Sequence, residues 1–143
     1  MSGEQWGDVE GGLRAWLRAD TGLQALVVQR VFFGIPRQDP VFPLVVVARV
    51  GGSELLGEET PVDYALLQIE CWGSLLENGG SKAQAFAVAQ AVQVALSTIR
   101  QPTLLTTGVK ALSATVQALL WAPDPDTDQP RYLLTVEVPT LAS

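Results

Sequence analysis

The chain has 143 residues, 48% hydrophobic and 17% charged, with 15 acids against 9 bases, one cysteine and no histidine. That length suits one domain, which buries roughly 68–70% of its unfolded surface and needs neither metal nor disulfide to hold it. A net charge of −6 with singly scattered bases excludes a phosphate-neutralising stripe and gives an anionic membrane nothing to hold.

The first organised segment begins at Asp8, a suitable N-cap, with Glu10 in the first helical turn where the helix dipole favours an acid. Val9, Leu13, Trp16 and Leu17 fall on one helical face. Asp20, Thr21 and Gly22 end that helix and open a short second one through Leu23, Leu26 and Val27. Val31, Phe32 and Phe33 form a short strand, and Pro36, Pro40 and Pro43 forbid regular structure until Leu44. Residues 44–50 are apolar and β-branched, which predicts a buried strand stopped by Gly51 and Gly52. The acidic stretch from there to Asp63 is predicted to be a long loop.

Residues 64–72 alternate most clearly, with Ala65, Leu67, Ile69 and Cys71 on one face. Cys71 is therefore expected to be a small buried hydrophobe. Asn78, Gly79 and Gly80 make a turn, and Ser81 is placed to cap an alanine-rich helix running to about Ile99. Its inward face is predicted as Phe86, Ala89, Val92 (or Gln93), Leu96 and Ile99, with Arg100 suited to its end and Pro102 stopping it. Residues 109–121 read as one long strand interrupted near Ser113 to Thr115, residues 123–130 as an acidic loop, and residues 131–138 as a closing strand. The predicted class is α+β: a mainly antiparallel sheet of about five strands, with one long and one or two shorter helices on one face. Leu66, Trp72, Leu119 and Trp121 lie on strand faces that two helices would not fully cover.

Chemistry is hard to find. Without histidine there is no His-assisted nucleophile and no imidazole ligand, and one thiol makes no zinc site. Glu58 and Glu59 are adjacent carboxylates in a glycine-flanked loop, where solvation is the ordinary outcome. Asp124, Asp126 and Asp128 imitate the start of a calcium loop, but Gln129 stands where glycine is needed and Thr135 where a bidentate glutamate is needed. Gly79, Gly80, Ser81 and Lys82 lack the spacing of a phosphate-binding loop. No catalytic, cofactor-binding or metal-binding residue is assigned, and no cofactor is expected. Residues 1–5 lack the order of a signal peptide, and no apolar run nears the ~20 residues that span a bilayer, so a protein made in a cytoplasm is expected, with residues 1–7 flexible.

Three stretches together resemble the tail terminator, or tail completion, proteins of long-tailed bacteriophages. They are residues 13–27 followed by Arg30, Val31 and Phe32; the proline-bearing loop into a strand ending Ala48, Arg49, Val50, Gly51 and Gly52; and Leu67-Gln68-Ile69-Glu70-Cys71-Trp72-Gly73 before the alanine-rich helix. A final hairpin with an acidic tip also fits, so the resemblance covers roughly residues 8–139 of a single domain spanning residues 1–143. It implies a structural virion protein, not an enzyme: a ring, hexameric in known members, that caps the tail tube at the tail–neck junction. Its implied partners are further copies of itself, the major tail tube protein and head-completion or neck proteins, with DNA passing through the lumen unread. Glu54, Glu58, Glu59, Asp63, Asp124, Asp126 and Asp128, in the two acidic loops, are the candidate interaction residues. Another phage neck, head-completion or tube protein, or a small cytosolic α+β ligand-binding domain, fits the same pattern; an annulus separates the phage readings from the last.

Overall fold

A computed structural model describes residues 8–55, 62–75 and 81–141. The elements run α1 (Val9–Ala19), α2 (Thr21–Val27), β1 (Val31–Phe32), β2 (Leu44–Leu55), β3 (Val62–Trp72), α3 (Ser81–Ser97), β4 (Thr103–Leu104), β5 (Lys110–Ala111), β6 (Thr115–Trp121) and β7 (Arg131–Leu141). The α+β class is as expected. The sheet is larger than expected, with seven strands among the described residues, in the order β1-β2-β3-β7-β5-β4 and β6 beside β7; it is also mixed, because β1 pairs with β2 in parallel. Residues 109–121 are two strands, β5 and β6, separated at 112–114, and the two-residue β4 has too little periodicity to read from sequence.

Caps at both early helices fall where side-chain chemistry puts them. The Asp8 carboxylate accepts from Gly11 N at 2.8 Å, and Asp20 accepts from Leu23 N at 2.9 Å, each satisfying an N–H that the first turn leaves bare. Helix α1 buries Val9, Gly12, Leu13 and Leu17. Gly12 is there for closeness: a Cβ would stand 2.8 Å from Leu105 Cδ1 and 2.9 Å from Thr107 Oγ1. Trp16 is only partly buried and donates from Nε1 to Ala95 O at 2.9 Å, tying α1 to α3.

Strands β3 and β7 carry the core. They pair antiparallel from Val62 opposite Leu141 to Trp72 opposite Arg131 without a slip. Ala65, Leu67, Ile69 and Cys71 of β3, and Leu134, Val136 and Val138 of β7, are all buried in one cluster with α1, α2 and α3. Helix α3 meets the cluster through Val88, Ala89, Val92, Ala95 and Leu96. Phe86, predicted inward, instead sits at the edge and is 38% exposed, since one helical face is already filled by the smaller Ala85, Val88 and Ala89. Ser81 begins α3 rather than preceding it, and the turn at 78–80 lies outside the described residues.

The other sheet face carries a smaller cluster. Leu44, Val46 and Trp72 are buried there against Phe32 and Phe42 of the proline-bearing segment. Trp72, on a face that the helices leave open, is enclosed by other means: Phe42 tilts against it at 5.9 Å and the Arg131 guanidinium lies 4.9 Å from the ring centre.

Of the predicted loop over residues 51–63, residues 51–55 and 62–63 are strand, and residues 56–61 lie outside the described residues. Strand β2 continues through Gly51 and Gly52 to Leu55 and pairs with β3 as far as Leu55 opposite Val62. A bulge between Arg49 and Gly51 absorbs the glycines, and Gly52 has φ +120, where a Cβ would meet Tyr64 O at 2.3 Å. Beside the bulge, Arg49 Nη1 and Nη2 grip Asp63 Oδ2 and Oδ1 at 2.6 Å each, and Arg49 Nε donates to Gly51 O at 3.1 Å. Asp63 is 1% exposed, so it is an internal partner and not a loop residue.

Two outcomes are expected. Cys71 is fully buried, and desolvation first, then the neighbouring Glu70 charge, push its thiol upward. Thiol reagent should leave the native protein unmodified at neutral pH and label it stoichiometrically in denaturant; rapid native labelling would show the register to be wrong. Replacing Asp63 by alanine should cost about 2–3 kcal/mol in denaturant unfolding, less than a wholly buried pair because the Arg49 side chain is 31% exposed.

Candidate assembly interface

A sheet is complete only when its edges are managed. Among the described residues this one ends at β1 and β2 on one side and at β6 and the two-residue β4 on the other, and the β1–β2 and β6 edges differ. On the β1–β2 side, α1 supplies charged side chains to the free backbone. Glu10 Oε2 accepts from Arg49 N at 2.6 Å, and Arg14 Nε donates to Val31 O at 2.8 Å. Such side chains occupy the groups that another strand would use.

Strand β6 receives no such treatment. Its sequence, Thr-Val-Gln-Ala-Leu-Leu-Trp, holds no charge and no proline, and among the described residues only β7 pairs with it. Ala122 N donates to Arg131 O at 3.0 Å. Alternate residues of an antiparallel pair exchange bonds, so Leu120 and Ala118 turn their backbone toward Leu133 and Thr135. The N–H and C=O groups of Leu119 and Trp121 then face outward. Leu119 and Leu120 are 38% and 58% exposed. Apolar side chains beside a bare strand edge are costly to leave in water and favour a partner.

An aromatic row adjoins this edge. Phe86 of α3 lies 5.5 Å from Tyr132 of β7, Tyr132 lies 5.0 Å from Trp121 of β6, and Lys82 Nζ stands 4.6 Å above the Trp121 ring. Phe86 is exposed and Tyr132 and Trp121 are half-buried, so the row presents rigid aromatic area with a cation at its end. Aromatic side chains of this kind dominate the binding energy of protein interfaces.

The acidic hairpin tip follows at residues 122–130. Asp124 is half-buried and used internally: its Oδ2 accepts from Thr127 Oγ1 at 2.7 Å, and its backbone bonds Asp128 N and Gln129 O. Gln129 Nε2 donates to Gly73 O, and Arg131 Nε donates to Ala122 O at 2.8 Å, docking the tip onto the sheet end. Asp126 and Asp128 are exposed.

The seven candidate acids thus do not gather in one place. Asp124, Asp126 and Asp128 share the tip. Glu54 is in β2, opposite Asp63, rather than in a loop. Asp63 is buried, and Glu58 and Glu59 lie outside the described residues. Sequence reasoning singled out Leu119 and Trp121 but missed Leu120, Phe86, Tyr132 and Lys82 as one surface. The neutral run of β6 was the available signal; the row draws on three distant elements and left none. A shallow cleft is lined by Trp16, Ala19, Asp20 and Thr98, but Asp20 is committed to capping α2. Among the described residues no cluster of histidine, cysteine or acidic side chains could hold a metal ion.

A family model described as "Tail completion protein gp17" matches residues 11–138. Among solved structures, the chain is similar to one in "Virion of native gene transfer agent (GTA) particle", with a TM-score of 0.70 and 18% identity, covering 93% of this chain and 94% of that one. At that identity the likeness concerns the fold. No curated protein sequence matches.

Because Asp126 and Asp128 are exposed, changing both to asparagine should alter stability by less than about 0.5 kcal/mol, read from thermal melts. Asp124→Ala should cost more, about 1 kcal/mol, since it removes the acceptor that holds the tip.

Proposed function

The chain belongs to the tail completion protein gp17 family, and from that premise we propose that it closes the end of a phage tail tube as a homo-oligomeric ring and joins it to the head or neck. It is a structural protein of the phage tail and a virion component; no helix among the described residues is long and apolar enough to cross a membrane. No catalytic role is proposed.

The observation that carries the ring reading is the bare, neutral edge of β6 with its aromatic row, a surface that a soluble monomer would be expected to guard. Head-to-tail contacts between unlike surfaces close into rings when the rotation per subunit allows it. Six subunits are proposed, as in known tail terminators. One rim would meet the major tail tube protein and the other the head-completion or neck proteins. The fold likeness to a chain of a gene transfer agent virion supports a place among such structural proteins. DNA would pass through the lumen without being held, a role that suits a chain with 15 acids and 9 bases. The acidic segments around residues 56–61 and 122–130 are proposed as contacts with these partners, with Glu54, Glu58, Glu59, Asp126 and Asp128 as their charged members.

Negative-stain images of the protein alone and of tail ends should show an annulus. A monomer at the tail end would sink the ring, and a lumen lined mainly by arginine and lysine would sink the channel reading. Neutralising Asp126 and Asp128 together should leave the fold intact while lowering the yield of joined particles; normal yield would remove the tip from the contact.

A further inference from the structure

A ring of identical subunits needs two different mating surfaces on each copy, and, besides the two-residue β4, the described sheet offers two longer stretches of open backbone. One is β6. The other is the far end of β2. Val45 N is bonded to Arg30 O and Arg49 N to Glu10, so odd-numbered residues before the bulge turn away from β3 and are occupied. The bulge reverses this parity. Gly51, Ser53 and Leu55 stand opposite the even-numbered Leu66, Tyr64 and Val62, and Gly52 and Glu54 opposite Ala65 and Asp63. Even-numbered β3 residues face β2 throughout, so beyond the bulge the outward backbone groups belong to Gly52 and Glu54. No described residue pairs with that stretch on its outer side.

These two stretches lie on opposite sides of the sheet, because the order runs β2-β3-β7-β6. Three antiparallel steps separate them, so β2 and β6 point in opposite directions. Setting one subunit beside the next so that the sheet direction is kept would bring β6 against a second β2 in antiparallel sense. Neither stretch contains lysine, arginine or proline, the residues that usually deter such addition.

Resting on the ring reading above, we propose that β6 of each subunit receives the end of β2 of its neighbour, with Leu119 opposite Glu54 and Trp121 opposite Gly52 of the next copy. This register matches both outward residues on each side at once. Each such pair exchanges two backbone bonds, giving about four per contact, whereas a shift of two residues either way leaves one pair of the two. It also sets Leu120 opposite Ser53. Leu120 is opposite Leu133 within its own sheet and Ser53 is opposite Tyr64, and Leu133 and Tyr64 are both on the face away from the helices. The two positions therefore share a face, as a continuing sheet requires. The partner is a second copy of this chain, and the contact is a strand addition.

The test is a Ser53→Cys, Leu120→Cys double variant, oxidised in the assembled state and run on a non-reducing gel. Positions opposite one another without mutual hydrogen bonds bring Cα atoms within disulfide reach. A ladder of covalent oligomers absent from both single variants is expected; buried Cys71 stays out of it. Annuli without any ladder would overturn the pairing while leaving the ring reading intact. Failure to form annuli at all, alone or on tail ends, would remove the ring reading and this contact with it. As a second measurement, Leu119→Pro deletes one outward N–H while sparing the bonds to β7. The variant should keep its far-UV circular dichroism and lose the annulus; a folded variant with an intact annulus would overturn the pairing. If proline at this position disturbs folding, the cysteine pair still decides.

Discussion

The fold rests on the unbroken register between β3 and β7. Eleven residues of each strand face one another without a slip, so one choice of parity decides which side chains enter the core along both. A shift of one residue would send Ala65, Leu67, Ile69 and Cys71 to the outer face and bring Leu66, Gln68 and Glu70 inward. Burying Gln68 and Glu70 without partners would cost several kcal/mol, while the present parity removes seven apolar side chains from water. Helices α1, α2 and α3 can all lie on one side because that parity holds from end to end. Every irregularity of the sheet falls elsewhere: the bulge in β2, the bulge in β6 and the short strands β4 and β5.

Placing the helices on one side sets the remaining terms. Among the described residues the opposite face is sealed near Trp72, where Phe42 and Phe32 reach across, and is left half-exposed from Gln68 to Tyr64. The edges are settled by α1, which lies close enough to β2 for Glu10 and Arg14 to reach the backbone of β2 and β1. Among the described residues no helix lies beyond β6, and no side chain of that kind reaches its outer side. The same packing that completes the core thus leaves the β1–β2 edge guarded and, among the described residues, the β6 edge open. The asymmetry follows from the number of helices and needs no separate cause.

Much of this was legible in the sequence because strong local signals coincided with tertiary ones. The alternation of residues 64–72, the capping aspartates at 8 and 20, and the proline block before Leu44 each state a physical preference within a few residues. Where the reading failed, the deciding interaction was remote or conformational. Gly51 and Gly52 look like a strand terminus, yet glycine is also what a bulge with positive φ requires, and Arg49 with Asp63 holds the strand together across it. Asp63 reads as one more acid in an acidic stretch because its partner is 14 residues away. Trp72 stood on a face that the helices do not cover, and nothing in its own strand reveals that Phe42 covers it instead. The candidate interface residues were half visible: Leu119 and Trp121 stood out as apolar, but Phe86 and Tyr132 join them only through folding.

The ion pair at the bulge has a further consequence for assembly. An exposed strand end is a poor docking element if it moves, because ordering it on contact costs roughly 1–2 kcal/mol per residue of backbone. Arg49 is bonded to Glu10 of α1, to Gly51 O and to Asp63, and Thr140 Oγ1 adds a bond from β7 to Asp63 O. One arginine therefore connects α1, β2 and β3 where the far end of β2 leaves the core, and β7 reinforces the junction. A hydrophobic plug would hold the same strands together but would not fix the direction in which β2 continues; a two-pronged guanidinium–carboxylate grip does, because its geometry is planar and directional. The pair is thus better understood as aiming the strand than as adding stability, since partly exposed ion pairs return little net energy. A strand held in direction before contact meets its neighbour with much of the ordering cost already met in folding.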